Sequence, residues 1–413
     1  MRFGSTLIAF LASIAALPAG DTWPQYRGPA GNGLSDSRGV PTTWSETENI
    51  RWKVAIHDKG WSSTVVWGNQ VWVTTALEDG REFFAVCVDT KTGRTVHDLK
   101  LFTETKPVNY SKFNSCATPT PVIETGRLYA HFGTHGTACV DTAAGKVLWE
   151  NHELKCDHWR GPASSPIVYG KLLILTFDGY DAQFIAALDK VTGKIVWKKD
   201  RQIKFPVDNG DLKKAFATPA VVEVNGKPQL VSPAAEATIA YDPATGDELW
   251  RVTHGGMNEA ARPVFGHGLI FLTNGHKGNL YAVRQGGRGM LTDADIAWTS
   301  NRAVPTRPSL LLIDDFLYLV SDAGIASCVE AETGKYRWNE RLAKPHSASP
   351  VAVGGLIYAA DEEGTTHVLA ASPTFKVVAR NKLNAGCMAS PAIVDGALFL
   401  RTKTHLYCIG TRE

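Results

Sequence analysis

His152, Cys156 and His158, with Asp157 beside them, put imidazole, thiol and carboxylate groups within one short stretch. Those are metal-ligand types. Structural zinc sites, however, pair one short Cys or His spacing with a second one elsewhere in the chain. This stretch is a single unpaired group, so it reads as a polar loop and no metal ligand is assigned. His131 with His135, and His254 with His267 and His276, fall on turns and strand ends. No Ser–His–Asp or Cys–His set can be assembled from their spacing alone. Gly286-Gly287-Arg288-Gly289 has the glycine count of a phosphate loop but lacks the following Lys-Ser/Thr and helix, so no phosphate role is expected.

The seven cysteines divide by position. Cys87, Cys139 and Cys328 each precede an acidic turn residue by two, and Cys408 holds the equivalent place near the end. Ala187 and Ala240 occupy that place elsewhere, so cysteine is expected there as a small buried residue. Equivalent positions in separate repeats lie too far apart for a disulfide. Pairing among the remaining Cys116, Cys156 and Cys387 is left open by the sequence.

The elements that position these residues repeat. Asp189, Gly193 and Trp197 keep a four-residue spacing, and so do Asp141, Gly145 and Trp149, and Asp242, Gly246 and Trp250. Glu330, Gly334 and Trp338 keep it with Glu for Asp; Asp89 and Gly93 lead to His97 in place of Trp. The Asp-to-Gly segment reads as a tight turn, since Asp can bond its own backbone and Gly tolerates positive φ. Each unit opens on a phrase such as Ser165-Pro166-Ile167-Val168. Openings centred on residues 64, 119, 166, 219, 263, 308, 350 and 391 give eight starts. Strand-rich units recurring every 40–50 residues or so indicate a propeller, one four-stranded blade per repeat. The expected fold is therefore all-β: an eight-bladed β-propeller of four-stranded antiparallel blades. The blade begun at Ser390 supplies three strands before the chain stops, whereas Asn49–Val54, with Trp52, looks like a final strand without a blade. Pairing the two closes the ring and removes two exposed edges.

In such a ring the residues just before each opening phrase gather at one mouth of the central channel. Trp61, Asn114, Trp159, Arg160, Arg262, Arg307 and His346 are the candidate binding residues there. Aromatic, arginine and histidine groups converging on a concave mouth suit a small ligand or a peptide. Arg160, Arg262 and Arg307 suit a carboxylate or phosphate, or equally the acids and carbonyls of neighbouring blades.

Composition sets broader limits. A formal net charge of +2 with 44% hydrophobic residues is ordinary for a globular chain and argues against a nucleic-acid surface. Met1-Arg2 followed by the apolar Leu7–Leu17 run has the layout of a secretory signal, cleaved after Ala19, and is short for a membrane span. The expected organisation is a signal peptide over 1–19, an irregular segment packed on the propeller over 20–48, and the propeller over 49–413. That places the mature chain in the periplasm or outside the cell with no transmembrane span.

The Ser-Pro-Val openings, the Ala-x-Asp-x-x-x-Gly turns and the Trp endings together resemble the PQQ-like (quinoprotein-like) β-propeller repeat family. The resemblance covers nearly everything after Asn49. The leader Trp23-Pro24-Gln25-Tyr26-Arg27-Gly28-Pro29 and the ending Leu400–Tyr407 look like those of a bacterial exported subgroup. Family members include quinoprotein alcohol dehydrogenases and BamB, of the outer-membrane β-barrel assembly machine. The dehydrogenases imply a vicinal cysteine pair beside the quinone and a calcium held by Glu, Asn and Asp. This chain has no adjacent cysteines, and no equivalent triad aligns. The resemblance thus implies a non-catalytic, protein-binding envelope scaffold with no cofactor expected. PQQ with calcium, or a small ligand such as a carbohydrate at Trp61 and Trp159, is the alternative.

Overall fold

The structure is a computed structural model that describes residues 22–411; the signal-peptide reading of 1–19 lies outside them. Eight separate sheets follow one another around a ring. Blade 1 runs from the inner strand Val65–Trp67 to the outer strand Thr95–Thr103, and blade 2 from Val122–Glu124 to Lys146–Asn151. Blades 3 to 7 begin at Ile167, Ala220, Val264, Leu311 and Val351. Blade 8 joins Ala392–Val394, Ala397–Arg401 and His405–Ile409 to Ile50–Ala55, which pairs antiparallel with the last of these, Trp52 opposite Cys408. The two ends of the propeller are thus held in one sheet.

Three blades gain a fifth strand, which the repeat did not announce. Thr22–Trp23 pairs antiparallel with the inner strand of blade 1. Leu34–Ser35 pairs in parallel with the inner strand of blade 7. Gly289–Met290, from the glycine-rich stretch of blade 5, pairs in parallel with the outer strand of blade 4.

The register of two openings differs from the sequence reading. The inner strands of blades 2 and 6 start at Val122 and Leu311, so Thr120-Pro121 and Ser309-Leu310 hold the place that Ser165-Pro166 holds in blade 3. Thr118-Pro119 and Arg307-Pro308 lie two residues earlier. A two-residue slip preserves the strand's alternation of faces, so the apolar pattern alone could not reveal it.

The Asp–Gly–Trp repeat has a physical basis in contacts between blades. Asp189 Oδ1 accepts from the Val191 and Thr192 amides at 3.0 and 2.8 Å, and these amide bonds hold its carboxyl below the usual range. Gly193 then turns at φ 72°. The tryptophan ending one blade lies on the turn glycine of the next: a Cβ on Gly193 would sit 2.5 Å from Trp149, and one on Gly93 2.8 Å from Trp52. Gly246 meets Trp197 and Gly334 meets Trp298 in the same way, while Gly145 meets His97, the tryptophan substitute. Indole N–H groups then donate to the turn of the following blade, Trp52 to Thr90 O at 2.7 Å, Trp149 to Lys190 O at 3.1 Å and Trp298 to Ala331 O at 2.9 Å.

Within each blade the same ring faces the small residue noted in the sequence. Cys139 pairs with Trp149, Ala187 with Trp197, Ala240 with Trp250, Cys328 with Trp338 and Cys87 with His97. Blade 7 inverts the sizes, Val368 standing opposite Ala379. Cysteine is used there for its volume; all seven cysteines are buried and free.

Gly193→Ala should destabilise the fold by at least about 1–3 kcal/mol, from backbone strain alone. The cost should shrink when Trp149→Ala is also present, because the clash is with that ring. Urea midpoints of the two single variants and the double variant measure both numbers.

Candidate functional site

Seven hydroxyls ring the channel two residues before the inner strands. The Ser63 amide donates to Thr120 Oγ1, Thr120 to Ser165 Oγ and Ser165 to Thr218 Oγ1, each at 2.9 Å. Farther round, Arg262 N donates to Ser309 Oγ, Ser309 to Ser349, Ser349 to Ser390 and Ser390 to Ser63, at 2.8–3.0 Å. Arg262 is the one member without a hydroxyl, and the circuit breaks there. Each bond satisfies a buried amide that the short inner strand leaves unpaired. Sequence reading saw the Ser-Pro phrases without this purpose, because the acceptor of each belongs to the next blade.

A cavity of about 790 Å³ fills the channel mouth. Trp61, Asn114, Arg160 and Arg307 of the expected set line it, together with Tyr26, Phe113, Phe216, Met257, Asp211 and Asp322. Trp159, Arg262 and His346 do not. Trp159 stands 48% exposed, its ring 5.5 Å from that of Tyr180. His346 is fully buried, its Nδ1 donating to Lys344 O at 2.8 Å. Arg262 is 4% exposed and donates to Tyr26 O at 2.8 Å. The two-residue register slip separates the arginines: Arg262 occupies the hydroxyl-ring position, whereas Arg307 stands clear of it and reaches the cavity.

Arg307 comes from blade 6 and lies over the ring of Phe113, 4.7 Å from its centre. Phe113 belongs to the loop before blade 2, diametrically opposite in an eightfold ring, so this cation–π contact spans the mouth. Trp61 Nε1 donates to Phe113 O at 3.0 Å and steadies that loop. Asp322 Oδ1 at 2.5 Å and Glu362 Oε1 at 3.3 Å hold the guanidinium from behind. On the other side Arg160 lies 3.5 Å from Asp211 Oδ1, and the buried Lys214 also pairs with that carboxylate. The Lys214 bond pulls the Asp211 carboxyl below its usual range despite desolvation. Both cavity carboxylates are therefore engaged by cations. Tyr26 and Phe113 were missed by sequence reading, since neither belongs to the repeat; the aromatic content of the leader was the only signal for Tyr26, and Phe113, in the loop before blade 2, had none.

The His152–His158 stretch resolves into a thiol–imidazole contact, Cys156 Sγ lying 3.5 Å from His158 Nε2. Burial pushes the thiol well up and the imidazole down to about 4. Both shifts favour neutral partners, the opposite of an activated thiolate–imidazolium pair. Among the described residues no three His, Cys, Asp or Glu side chains are grouped to hold a metal ion.

A protein-family model described as "Outer membrane protein assembly factor BamB" matches residues 45–340, 292–374 and 322–409. No curated protein matches the chain. Among solved structures, BamB from Moraxella catarrhalis is similar with a TM-score of 0.62 at 12% identity, covering 87% of this chain and 98% of its own. A europium-containing methanol dehydrogenase gives 0.72 at 11% identity, covering 95% and 98%. The quinohemoprotein alcohol dehydrogenase from Comamonas testosteroni gives 0.69 at 11%, covering 95% and 81%. At such identities the likeness to these structures establishes the fold alone. The cavity's donor set does not fit the calcium–quinone arrangement that the sequence resemblance implies for dehydrogenases: Asp211 and Asp322 already face cations, and no cysteines are adjacent.

Burial holds His131 down to about 3, and His158, His254 and His346 down to about 4, from 6.5. A folded pKa below the unfolded one gives stability that is fully present above about 6.5 and lost as the pH falls toward 4. Glu259 and Asp178, raised by burial, and His57, raised despite desolvation by its hydrogen bonds with Asp58 and Asp98, carry the opposite sign; they are three groups against seven, because burial also holds down His135, His367 and His405. The urea midpoint should therefore be lower at pH 5 than at pH 7.5; an equal or higher midpoint at pH 5 contradicts this assignment.

Proposed function

The chain belongs to the PQQ-like propeller family of the outer membrane protein assembly factor BamB, and from that premise we propose that it is an exported, non-catalytic scaffold that binds envelope proteins or peptides. The proposed organisation is a signal peptide at 1–19, a packed leader segment at 20–48 and the propeller at 49–413. No helix among the described residues is long and apolar enough to cross a membrane.

The observation that carries this reading is the outer rim of blades 1 to 3. Their outer strands, Thr95–Thr103, Lys146–Asn151 and Ile195–Asp200, have no strand paired on the far side among the described residues. They expose Val96, Val147, Leu148, Ile195 and Val196. Apolar side chains on free edges are unusual, because edges invite strand pairing and are ordinarily blunted. Blade 4 displays the alternative: its outer edge is covered by Gly289–Met290. An extended peptide added to blades 1 to 3 in the same manner gains main-chain hydrogen bonds and apolar contacts together.

The test is fluorescence anisotropy with labelled ten-residue peptides alternating apolar and polar residues, the pattern of an outer-membrane strand. Saturable binding is expected, weakened at least tenfold (about 1.4 kcal/mol) by Leu148→Lys combined with Val196→Lys. Binding that is absent, or that ignores these substitutions, overturns the proposal.

A second reading rests on the 790 Å³ cavity, with Trp61, Asn114, Arg160 and Arg307 receiving a small ligand. Thermal unfolding with PQQ plus calcium, and separately with oligosaccharides, tests it. A ligand at 100 times its dissociation constant stabilises its binder by about 2.7 kcal/mol. A saturable shift with PQQ favours the dehydrogenase alternative over the scaffold.

A further inference from the structure

The hydroxyl circuit is also the floor of the 790 Å³ cavity. Ser63, Thr120, Ser165, Thr218 and Ser390 line it, whereas no residue of the inner strands, which begin two residues farther on, does so. The five belong to successive blades, 8 and then 1 to 4, and form one arc. Each is buried, only 2–5% exposed. Tyr26 closes the rest of the floor. Its OH reaches Ser349 Oγ at 2.8 Å and Ser309 Oγ at 3.3 Å, and neither of those serines lines the cavity.

A serine or threonine hydroxyl has one hydrogen to donate and two lone pairs with which to accept. In each of the five, a lone pair takes the amide of the preceding blade at 2.9–3.0 Å. Among the described residues none of the five O–H groups has an acceptor of its own. Hydroxyls elsewhere in the cavity wall are spent on the protein: Thr118 donates to Asn114 Oδ1 at 2.6 Å and Ser347 to Glu362 Oε1 at 2.7 Å. Buried polar hydrogens are rarely left unused. The ring bonds therefore hold five oxygens in place and leave five unspent donors at the bottom of the cavity.

Taking the cavity as a ligand site, as the second reading does, we propose that this arc receives the carboxylate of a ligand whose remainder is apolar or aromatic. Water meets the hydroxyls in the free protein. Hydrogen bonds to an ionised oxygen are shorter and roughly twice as strong, so a carboxylate gains by displacing that water. The charges of the wall do not oppose it, because Arg160, Arg307 and Lys214 are balanced by Asp211, Asp322 and Glu362. The donors of the floor then decide which ligand end points inward. Trp61, Phe113, Phe216 and Met257 line the cavity beside the floor and suit the apolar remainder. A volume of about 790 Å³ falls in the range of roughly 300–1,000 Å³ that takes drug-sized ligands. A free aryl or acyl acid and the last residue of a peptide share this chemistry.

Titration calorimetry of the purified full chain compares 3-phenylpropionate with its neutral amide, and the peptide alanyl-alanyl-phenylalanine with its C-terminal amide. Saturable binding of at least one acid is expected, weakened at least tenfold (about 1.4 kcal/mol) in its amide, whose N–H groups face donors. Tighter binding of the peptide identifies a chain end as the ligand; tighter binding of 3-phenylpropionate identifies a free acid. Ser165→Ala should weaken binding severalfold, while Ser165→Thr keeps the hydroxyl and the affinity. Should Ser165→Ala fail to fold, the acid–amide comparison on the wild type decides alone. Equal affinity for acid and amide overturns the proposal and leaves the cavity a ligand site. Absence of binding by both acids also overturns it, and the trials with PQQ and oligosaccharides then judge the cavity by themselves.

Discussion

Each tryptophan that ends a blade is seated on a glycine that turns the next one. The contact is possible only because that glycine lacks a Cβ and adopts positive φ, as Gly193 does beneath Trp149. One indole does three things at once: it fills the space beside a small residue of its own sheet, covers the neighbour's turn, and donates its N–H to that turn's carbonyl. Blade-to-blade attachment is thus encoded locally and repeated, so a ring of separate sheets behaves as one body. Where the code drifts, substitutes occupy the same space. Phe375 packs 5.1 Å from Trp338 in blade 7, and Gly289 pairs opposite Trp250 where blade 5 lacks the turn.

Ring closure creates a problem at the centre. Eight short inner strands converge with buried amides that have no strand partner, and the hydroxyl circuit answers them with side chains from adjacent blades. The circuit also gives seven of the eight wall positions an uncharged hydroxyl, Arg262 being the eighth. Charges enter at chosen places: Arg201 is buried against Asp178 in a bidentate pair at 2.5 and 2.7 Å, while Arg307 and Arg160 are held at the mouth by acids. Among the described residues, the buried Arg27, Arg262 and Arg401 have no acid partner and are met by carbonyl or hydroxyl oxygens instead.

Much of the fold was legible in the sequence. The Asp189–Gly193–Trp197 spacing, its copies, and the orphan strand at Trp52 were sufficient for eight blades and for their closure. The small-residue role of Cys87, Cys139 and Cys328 was also readable, because alanine alternates with cysteine at that place. The site was read less completely. Trp61, Asn114, Arg160 and Arg307 reach the cavity; Trp159 turns outward, and Arg262 and His346 are buried. Alternation on a strand tells which face a residue takes, but it is blind to a shift of two. That shift is what distinguishes Arg307 from Arg262.

What the sequence determined by itself is therefore whatever depends on local spacing: the turns, the strand periodicity, the number of repeats and the size of the residue facing each tryptophan. Tertiary structure decided what depends on residues far apart in the chain. Phe113 meets Arg307 across the mouth, Tyr26 meets Ser349, and Arg262 meets the Tyr26 carbonyl, and none of these pairs shares a repeat or a period. Their proximity exists only once the ring has closed, because closure alone brings the leader and opposite blades to a common axis.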